Sequence, residues 1–472
     1  IERVHADGKV LKALDLRALR ETIAKLMLEG VESLAVCLLH AYKNPIHEQA
    51  IHTLIREIAP DLPVSLSSEV LPEINEYERV STTVVNAYSK PVAARYLTRL
   101  EERMNSAGIG GELLLMQSSG GINSSATARE FPVRIIESGP AAGALGAAHY
   151  ARLAGLSHVL SFDMGGTTAK MCLVQDGRIS RTTDFEVAHV HRFKRGSGIP
   201  VRVPVLDLME IGAGGGSLAQ ISEVGTLQVG PESAGADPGP ACYGQGGTQP
   251  SVSDADLVLG YLDPAHFLGG EMSLNKAAAE TAIERTVGAP LGLGITEAAY
   301  GIHGIVNENM AAAAKVYVTE HGEDPAFYTL VAFGGCGPVH AVDLARRLGI
   351  RRILIPPRAG VASAIGMVVA PVSYDTVRTN RVRLNVAEFG KLDTLFAAMV
   401  SECRERMPES IDPNDLFYER AADMRYVGQG YNVMISFPDA PLADATSTHV
   451  RGWFDETYRK LYGRTYDDLE LE

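Results

Sequence analysis

Residues 159–174 read VLSFDMGGTTAKMCLV, two apolar runs joined by Gly165, Gly166, Thr167 and Thr168 with Asp163 just before the turn. Paired glycines let backbone amides approach phosphate oxygens closely, and two threonine hydroxyls add donors. A carboxylate at the end of the first run can hold a magnesium ion through water. Charge-assisted hydrogen bonds are worth about 1.5–3 kcal/mol each, so a few converging donors hold a phosphate tail. The same residues also suit an ordinary Gly-Gly hairpin turn.

A second glycine loop lies in YTLVAFGGCGPVHAVDLARRLGI (328–350), where Gly334, Gly335, Cys336 and Gly337 separate an apolar strand from an amphipathic helix. A helix that starts there points unpaired amides and the positive end of its dipole at a ligand, and bare backbone admits a flat base. This predicts an adenosine contact through Gly334, Gly335 and Gly337. The alternative is a tight strand-to-helix turn with Pro338 in the first helical turn. The third loop, in LDLMEIGAGGGSLAQI (206–221), offers Gly214, Gly215 and Gly216. It either lines the same cleft or bends a hairpin, with Asp207 and Glu210 the nearest ionisable groups.

Three further candidates carry weaker chemistry. Asp254 and Asp256 flank Ala255 in a long, turn-rich stretch (229–264), a setting common for functional loops. One of them, Asp254 in our assignment, is expected to orient water or metal, or else to cap a following helix. Cys242 is either an accessible thiolate or a buried structural thiol. His189 and His191 alternate in FEVAHVHRFKRG, so a strand would place both rings on one face as two ligands lacking a third.

These loops need rigid elements to position them. Residues 11–29 and 47–59 carry apolar side chains at helical spacing, with apolar strand-like runs at 33–42 and in PVSLSS, a βαβ pattern. A long helical region is expected over 76–104. From LLLMQSSGG (113–121) onward, short apolar strands end repeatedly in glycine turns, and the helical run GPAAGALGAAHYARLAG follows Ser138. A boundary is expected over 372–386, followed by a helix over 389–407 and a last strand region and helix. The expected segments are therefore 1–104, 105–374 and 375–472.

Composition limits the classes of function. The 472 residues are 46% hydrophobic and 21% charged, the balance of a globular protein. Five scattered cysteines argue against a disulfide framework or a zinc site and for a reducing, cytoplasmic compartment. The net charge of -14, with no basic cluster beyond Arg192, Lys194 and Arg195, disfavours nucleic acid as a partner. No run approaches the roughly 18 apolar residues of a membrane span.

Ten ordered blocks, EINEYERVSTTVVNAY, MQSSGG, ESGPAAGALGA, FDMGGTTAK, IGAGGGS, GADPGPACYGQGG, SDADLVLG, FGGCGPVHA, PPRAGVASAIG and DMRYVGQGY, resemble the hydantoinase/oxoprolinase family. The resemblance implies an actin-like (sugar-kinase-like) α/β ATPase fold with two lobes around a nucleotide cleft. It implies ATP and Mg2+, with phosphate contacts from Gly165, Gly166, Thr167 and Thr168 and adenosine contacts from Gly334, Gly335 and Gly337. It also implies ATP-dependent opening of a cyclic amide such as a hydantoin or 5-oxoproline through carbonyl phosphorylation, and a second subunit of hydantoinase B type. A subunit of an acetone- or acetophenone-type carboxylase acting on a ketone is the alternative, and a nucleotide-binding module without its own chemistry a third. Family members usually begin with another DxGGT-type loop, so the N-terminal lobe is expected to be incomplete; relatives run on into further β structure after FDETYRKLYGRTYDD, so the C-terminal segment is expected to be truncated. Ala169-Lys170 stands where many members carry a threonine and an acid, which leaves the subfamily open.

Overall fold

The computed structural model describes residues 2–183, 185–190 and 196–472. The chain divides into two compact units: residues 1–115, 123–133 and 372–472 form one, and residues 116–122 and 134–371 the other. His191, Arg192, Lys194 and Arg195 lie outside the described residues, and with them the proposed histidine pair.

The second unit is organised by a mixed sheet. Its strands are β1 (His158–Met164), β2 (Ala169–Gln175), β3 (Met209–Ile211), β4 (Thr329–Phe333) and β5 (Arg352–Leu354), in the spatial order β3-β2-β1-β4-β5. The first three form an antiparallel meander, whereas β4 and β5 run parallel to β1 and so require helical crossovers. A short strand, Arg178–Ile179, pairs with β2 beside this path.

Alternation along the strands sorts their side chains to two faces. Leu160, Phe162, Met164, Met171, Leu173, Leu330 and Ala332 pack in one core with α3 (Ile295–Glu320) and α4 (Gly337–Leu348). Val159, Cys172, Val174, Val331 and Phe333 pack in another with α1 (Ser138–Leu153) and α5 (Ala362–Val369). The small residues of α1 explain how these last two helices meet. A Cβ on Gly366 would lie 1.7 Å from the carbonyl oxygen of Ala142, and one on Gly146 would lie 2.9 Å from that of Ala362. Only glycine allows the two backbones this close.

In the other unit, the parallel strands Leu34–Val36 and Val64–Leu66 are joined through the helix Ile46–Ile58, as the βαβ pattern requires. The expected strand over 33–42 is thus only its first part; a turn follows. The helix Glu76–Ser106 covers the long helical region. An antiparallel pair, Arg420–Met424 with Val433–Phe437, shares an aromatic core with the helix Ser447–Tyr462. No described helix is long and apolar enough to cross a membrane.

Candidate functional site

Asp163, one residue before the end of β1, lies on the face that meets α1 and α5. In the sheet register it lies beside Phe333 of β4 and Lys170 of β2, and Lys170 lies beside Glu210 of β3. Lys170 and Glu210 form an ion pair at 3.0 Å. Two glycines make room for the Asp163 carboxylate. A Cβ on Gly143 of α1 would be 3.0 Å from its Oδ2, and one on Gly334 would be 2.4 Å from its Oδ1. Gly334 also has φ +85°, a conformation that side chains rarely adopt.

Burial pushes the Asp163 carboxyl up from its ordinary value, opposed by the Lys170 charge and a hydrogen bond with Ser363 of α5. Glu137, just before α1, is also raised by burial; Lys170 opposes this and Glu210 adds to it. Three acids around one ammonium group leave negative charge in excess. That is the charge balance a divalent cation would complete, and Asp163 is the half-buried carboxylate beside the glycine loops that suits Mg2+.

The loop after Asp163 spans four residues and is closed by a bond from the Gly165 amide to the Thr168 carbonyl, 3.0 Å. Gly166 and Thr167 are exposed, and among the described residues the amides of Gly166, Thr167 and Thr168 have no protein acceptor. The neighbouring loop brings Gly335 and the α4 N-terminus to the same strand ends. The Cys336 amide donates to the Met164 carbonyl at 2.9 Å, and Gly335 is exposed with nothing within 4 Å of its Cβ direction.

Gly214, Gly215 and Gly216 meet this site from behind. They are buried, and the amides of Gly215 and Gly216 donate to the carbonyls of Gly165 (3.0 Å) and Gly166 (2.7 Å), while that of Gly214 donates to Ser217 Oγ (2.9 Å). A Cβ on Gly214 would lie 2.6 Å from the Gly166 backbone. The expectation that these amides face a ligand is corrected: all three are committed inside the protein, where those of Gly215 and Gly216 brace the loop over 165–168.

Of the two expectations for Asp254, the structure shows the helix cap and not the group that orients water or metal. The stretch 229–264 is not one loop but contains α2 (Val252–Val258), which begins with a capping box between Ser251 and Asp254. The Asp254 carboxylate is fully buried and accepts from the amides of Ala241, Cys242 and Ser251 and from Ser251 Oγ, at 2.6–3.2 Å. Four donors saturate it, which is the environment of a structural anchor and not of a base. The Cys242 thiol beside it is buried and pushed strongly upward, first by burial and then by Asp254, so it is no thiolate. Burial and the charge of Asp256 likewise push Cys336 up to about 12. Asp207 pairs with His321 at 2.8 Å, and His189 lies 3.5 Å from Glu186.

The sequence reading missed a second cluster. Asp256, two positions beyond Asp254, turns to the opposite side of α2 because residues two apart on a helix do not share a face. There it meets His303 of α3 (2.8 Å) and His340 of α4 (3.2 Å). No local signal marks this set, since its three members come from three separate helices.

A mixed sheet in the order β3-β2-β1-β4-β5, with a glycine-threonine hairpin between β1 and β2, places this unit in the class of actin-like ATPase folds. The chain belongs to the hydantoinase/oxoprolinase family: the family's main region, described as Hydantoinase/oxoprolinase, matches residues 79–376, and its N-terminal region matches residues 1–59. It is 34% identical to the caprolactamase subunit alpha of Pseudomonas jessenii, over 100% of this chain and 67% of that one. It is also 34% identical to the acetophenone carboxylase gamma subunit of Aromatoleum aromaticum, over 91% of this chain and 59% of that one. The crystal structure of the ATP-dependent caprolactamase from Pseudomonas jessenii superposes with a TM-score of 0.82 at 32% identity, covering 100% of this chain and 68% of the other.

Proposed function

We propose that this chain is the nucleotide-handling part of an ATP-dependent hydrolase that opens a cyclic amide. The observation that carries this reading is the grouping of Asp163, the acceptor-free amides of Gly166, Thr167 and Thr168, and the bare Gly335 beside the α4 N-terminus. The family and the ATP-dependent caprolactamase relative support the choice of substrate class.

An amide resists attack by water because nitrogen donates its lone pair to the carbonyl. Transfer of the γ-phosphoryl group of ATP to the carbonyl oxygen releases ADP and makes the ring carbon electrophilic; water then adds, the ring C–N bond breaks to free the amine and leave an acyl phosphate, and a second water hydrolyses that to the carboxylate and phosphate. The loop amides and the hydroxyls of Thr167 and Thr168 bind the phosphates, and Gly335 leaves room for the adenosine, whereas Gly337 is buried against the backbone of Phe162 and Met164. Asp163 would hold Mg2+, which would neutralise charge on the transferring group. Gly214, Gly215 and Gly216 keep the loop rigid from behind, and Asp254 anchors the chain leading into α2. A second subunit of hydantoinase B type is the expected partner and the place for the residues that open the ring.

The 34% identity to a carboxylase subunit favours a second reading, in which the same phosphoryl chemistry activates a ketone or bicarbonate for carbon–carbon bond formation. Titration of Mg-ATP into the wild-type chain and Asp163→Asn tests the site, with binding expected to weaken at least about tenfold in the variant. ADP release with the partner subunit then separates the readings. Dependence on a lactam, 5-oxoproline or a hydantoin supports the hydrolase, dependence on a ketone with bicarbonate supports the carboxylase, and binding without turnover on either supports a nucleotide-operated clamp. Absence of Mg-ATP binding would sink all three.

A further inference from the structure

The cluster missed in the sequence is built like a metal centre. Asp256, His303 and His340 are 2%, 3% and 0% exposed, and their donor atoms all lie within 4.8 Å of one another. The Asp256 carboxylate bridges the two imidazoles: Oδ1 faces His303 Nδ1 at 2.8 Å and Oδ2 faces His340 Nε2 at 3.2 Å. The two rings stack with centroids 4.7 Å apart and planes inclined by 17°.

The tautomer of His340 is fixed by its other side. Asn307 donates its Nδ2 to the His303 carbonyl at 2.9 Å, which leaves Asn307 Oδ1 facing His340 Nδ1 at 3.2 Å. An amide oxygen accepts, so Nδ1 must carry the proton. In its neutral form the ring therefore turns its Nε2 lone pair toward the carboxylate. That nitrogen is completely buried and, despite its proximity to Oδ2, has no partner in hydrogen-bond geometry. Two lone pairs facing each other in an apolar interior are repulsive unless a positive charge lies between them.

The outer nitrogens of both histidines face oxygens as well. His340 Nδ1 faces Asn307 Oδ1, and His303 Nε2 faces Asp343 Oδ2 at 3.9 Å. Metal-bound histidines characteristically donate their remaining N–H to such a group, which orients the ring and raises its basicity. We propose that Asp256, His303 and His340 bind a divalent transition-metal ion of the zinc class. Two imidazole nitrogens and one carboxylate suit Zn2+ and its first-row neighbours, whereas Mg2+ and Ca2+ prefer oxygen throughout. The ion ties α2, α3 and α4 together. It lies behind the glycine loops, because His340 is in the first turn of α4 and the amide of Ser253 in α2 bonds the Gly215 carbonyl at 2.7 Å. Its role is structural, and it is separate from the Mg2+ proposed at Asp163.

The test is metal content, measured without nucleotide on protein that carries no histidine tag. After unfolding in chelator and refolding with Zn2+ or Co2+, the wild-type chain should hold about one ion of either kind, with the visible bands of nitrogen-ligated Co2+ and a higher melting temperature than the metal-free protein. His340→Gln and Asp256→Asn should each lower the bound metal at least tenfold. If either variant fails to fold, the wild-type Co2+ spectrum still decides. Less than about a tenth of an ion per wild-type chain, with a melting temperature that neither metal moves, would overturn the proposal in favour of a buried imidazolium–carboxylate pair. Retention of the ion by folded His340→Gln would overturn it equally.

Discussion

Gly334 and Asp163 approach so closely that a single added methyl group would separate them: a Cβ on Gly334 would fall 2.4 Å from Asp163 Oδ1 and 2.5 Å from the Met164 carbonyl oxygen. The adjoining Gly335 has open space where its Cβ would stand. These two neighbours therefore separate the needs of the fold from those of a ligand. Gly334→Ala is expected to destabilise the protein by about 2 kcal/mol or more, from its φ of +85° together with the clash, and to weaken Mg-ATP binding with it. Gly335→Ala should leave the melting temperature nearly unchanged and reduce nucleotide affinity, if a base lies against that backbone. Thermal melts and calorimetric titration of the two variants check this.

Asp254→Ala leaves three backbone amides and one hydroxyl without their acceptor in a site that excludes water. At about 1–3 kcal/mol for each unsatisfied buried group, a loss of at least about 3 kcal/mol is expected. Urea unfolding measures it. A variant of undiminished stability with abolished turnover would return Asp254 to the catalytic role first read from the sequence.

The contact between α1 and α5 gives a sharper test of packing. Gly366→Ala would drive its methyl to 1.7 Å from a backbone carbonyl, which no rotamer change relieves, so we expect more than about 3 kcal/mol of destabilisation. Gly139→Ala, at the start of the same α1, meets nothing within 4 Å and should be neutral or stabilising by up to about 1 kcal/mol. The difference in urea midpoint between the two decides whether the helices touch as described.

His321 provides a pH signature. Burial lowers its affinity for a proton, but bonds to the Tyr317 carbonyl and the Asp207 carboxylate outweigh this and raise its pKa above the ordinary value of 6.5. A group that binds its proton more tightly when folded stabilises the protein fully below its unfolded pKa and loses that contribution as pH rises through the folded one. The melting-temperature advantage of wild type over His321→Gln should accordingly be largest below pH 6.5 and shrink as pH rises above it. An advantage that grows with pH would show that the pair is not charged as described.

The elements that place Asp163 were largely legible in the sequence. The two apolar runs around Gly165–Thr168 became β1 and β2, and the run before Gly334 became β4, followed directly by α4. These signals are local: tight turns need glycine, period-two apolar runs need a sheet, and helical spacing needs a face to bury. The same locality fixed the helices Glu76–Ser106 and Ser138–Leu153, whose patterns lie within single stretches of chain.

The direction of each polar group was decided elsewhere. Gly214–Gly216 look like a ligand loop in sequence, yet their amides point at Gly165, Gly166 and Ser217, because tertiary packing brings those acceptors to them. Asp254 and Asp256 are near-identical as neighbours in the chain; α2 turns one into a capping box and the other toward His303 and His340. Sequence by itself determined which segments turn sharply, which are buried and to which family the pattern is similar, since those depend on residue type and short-range spacing. Only the tertiary structure decided which donor meets which acceptor, because that depends on how distant segments pack, and a carboxylate's chemistry follows from the groups that packing sets around it.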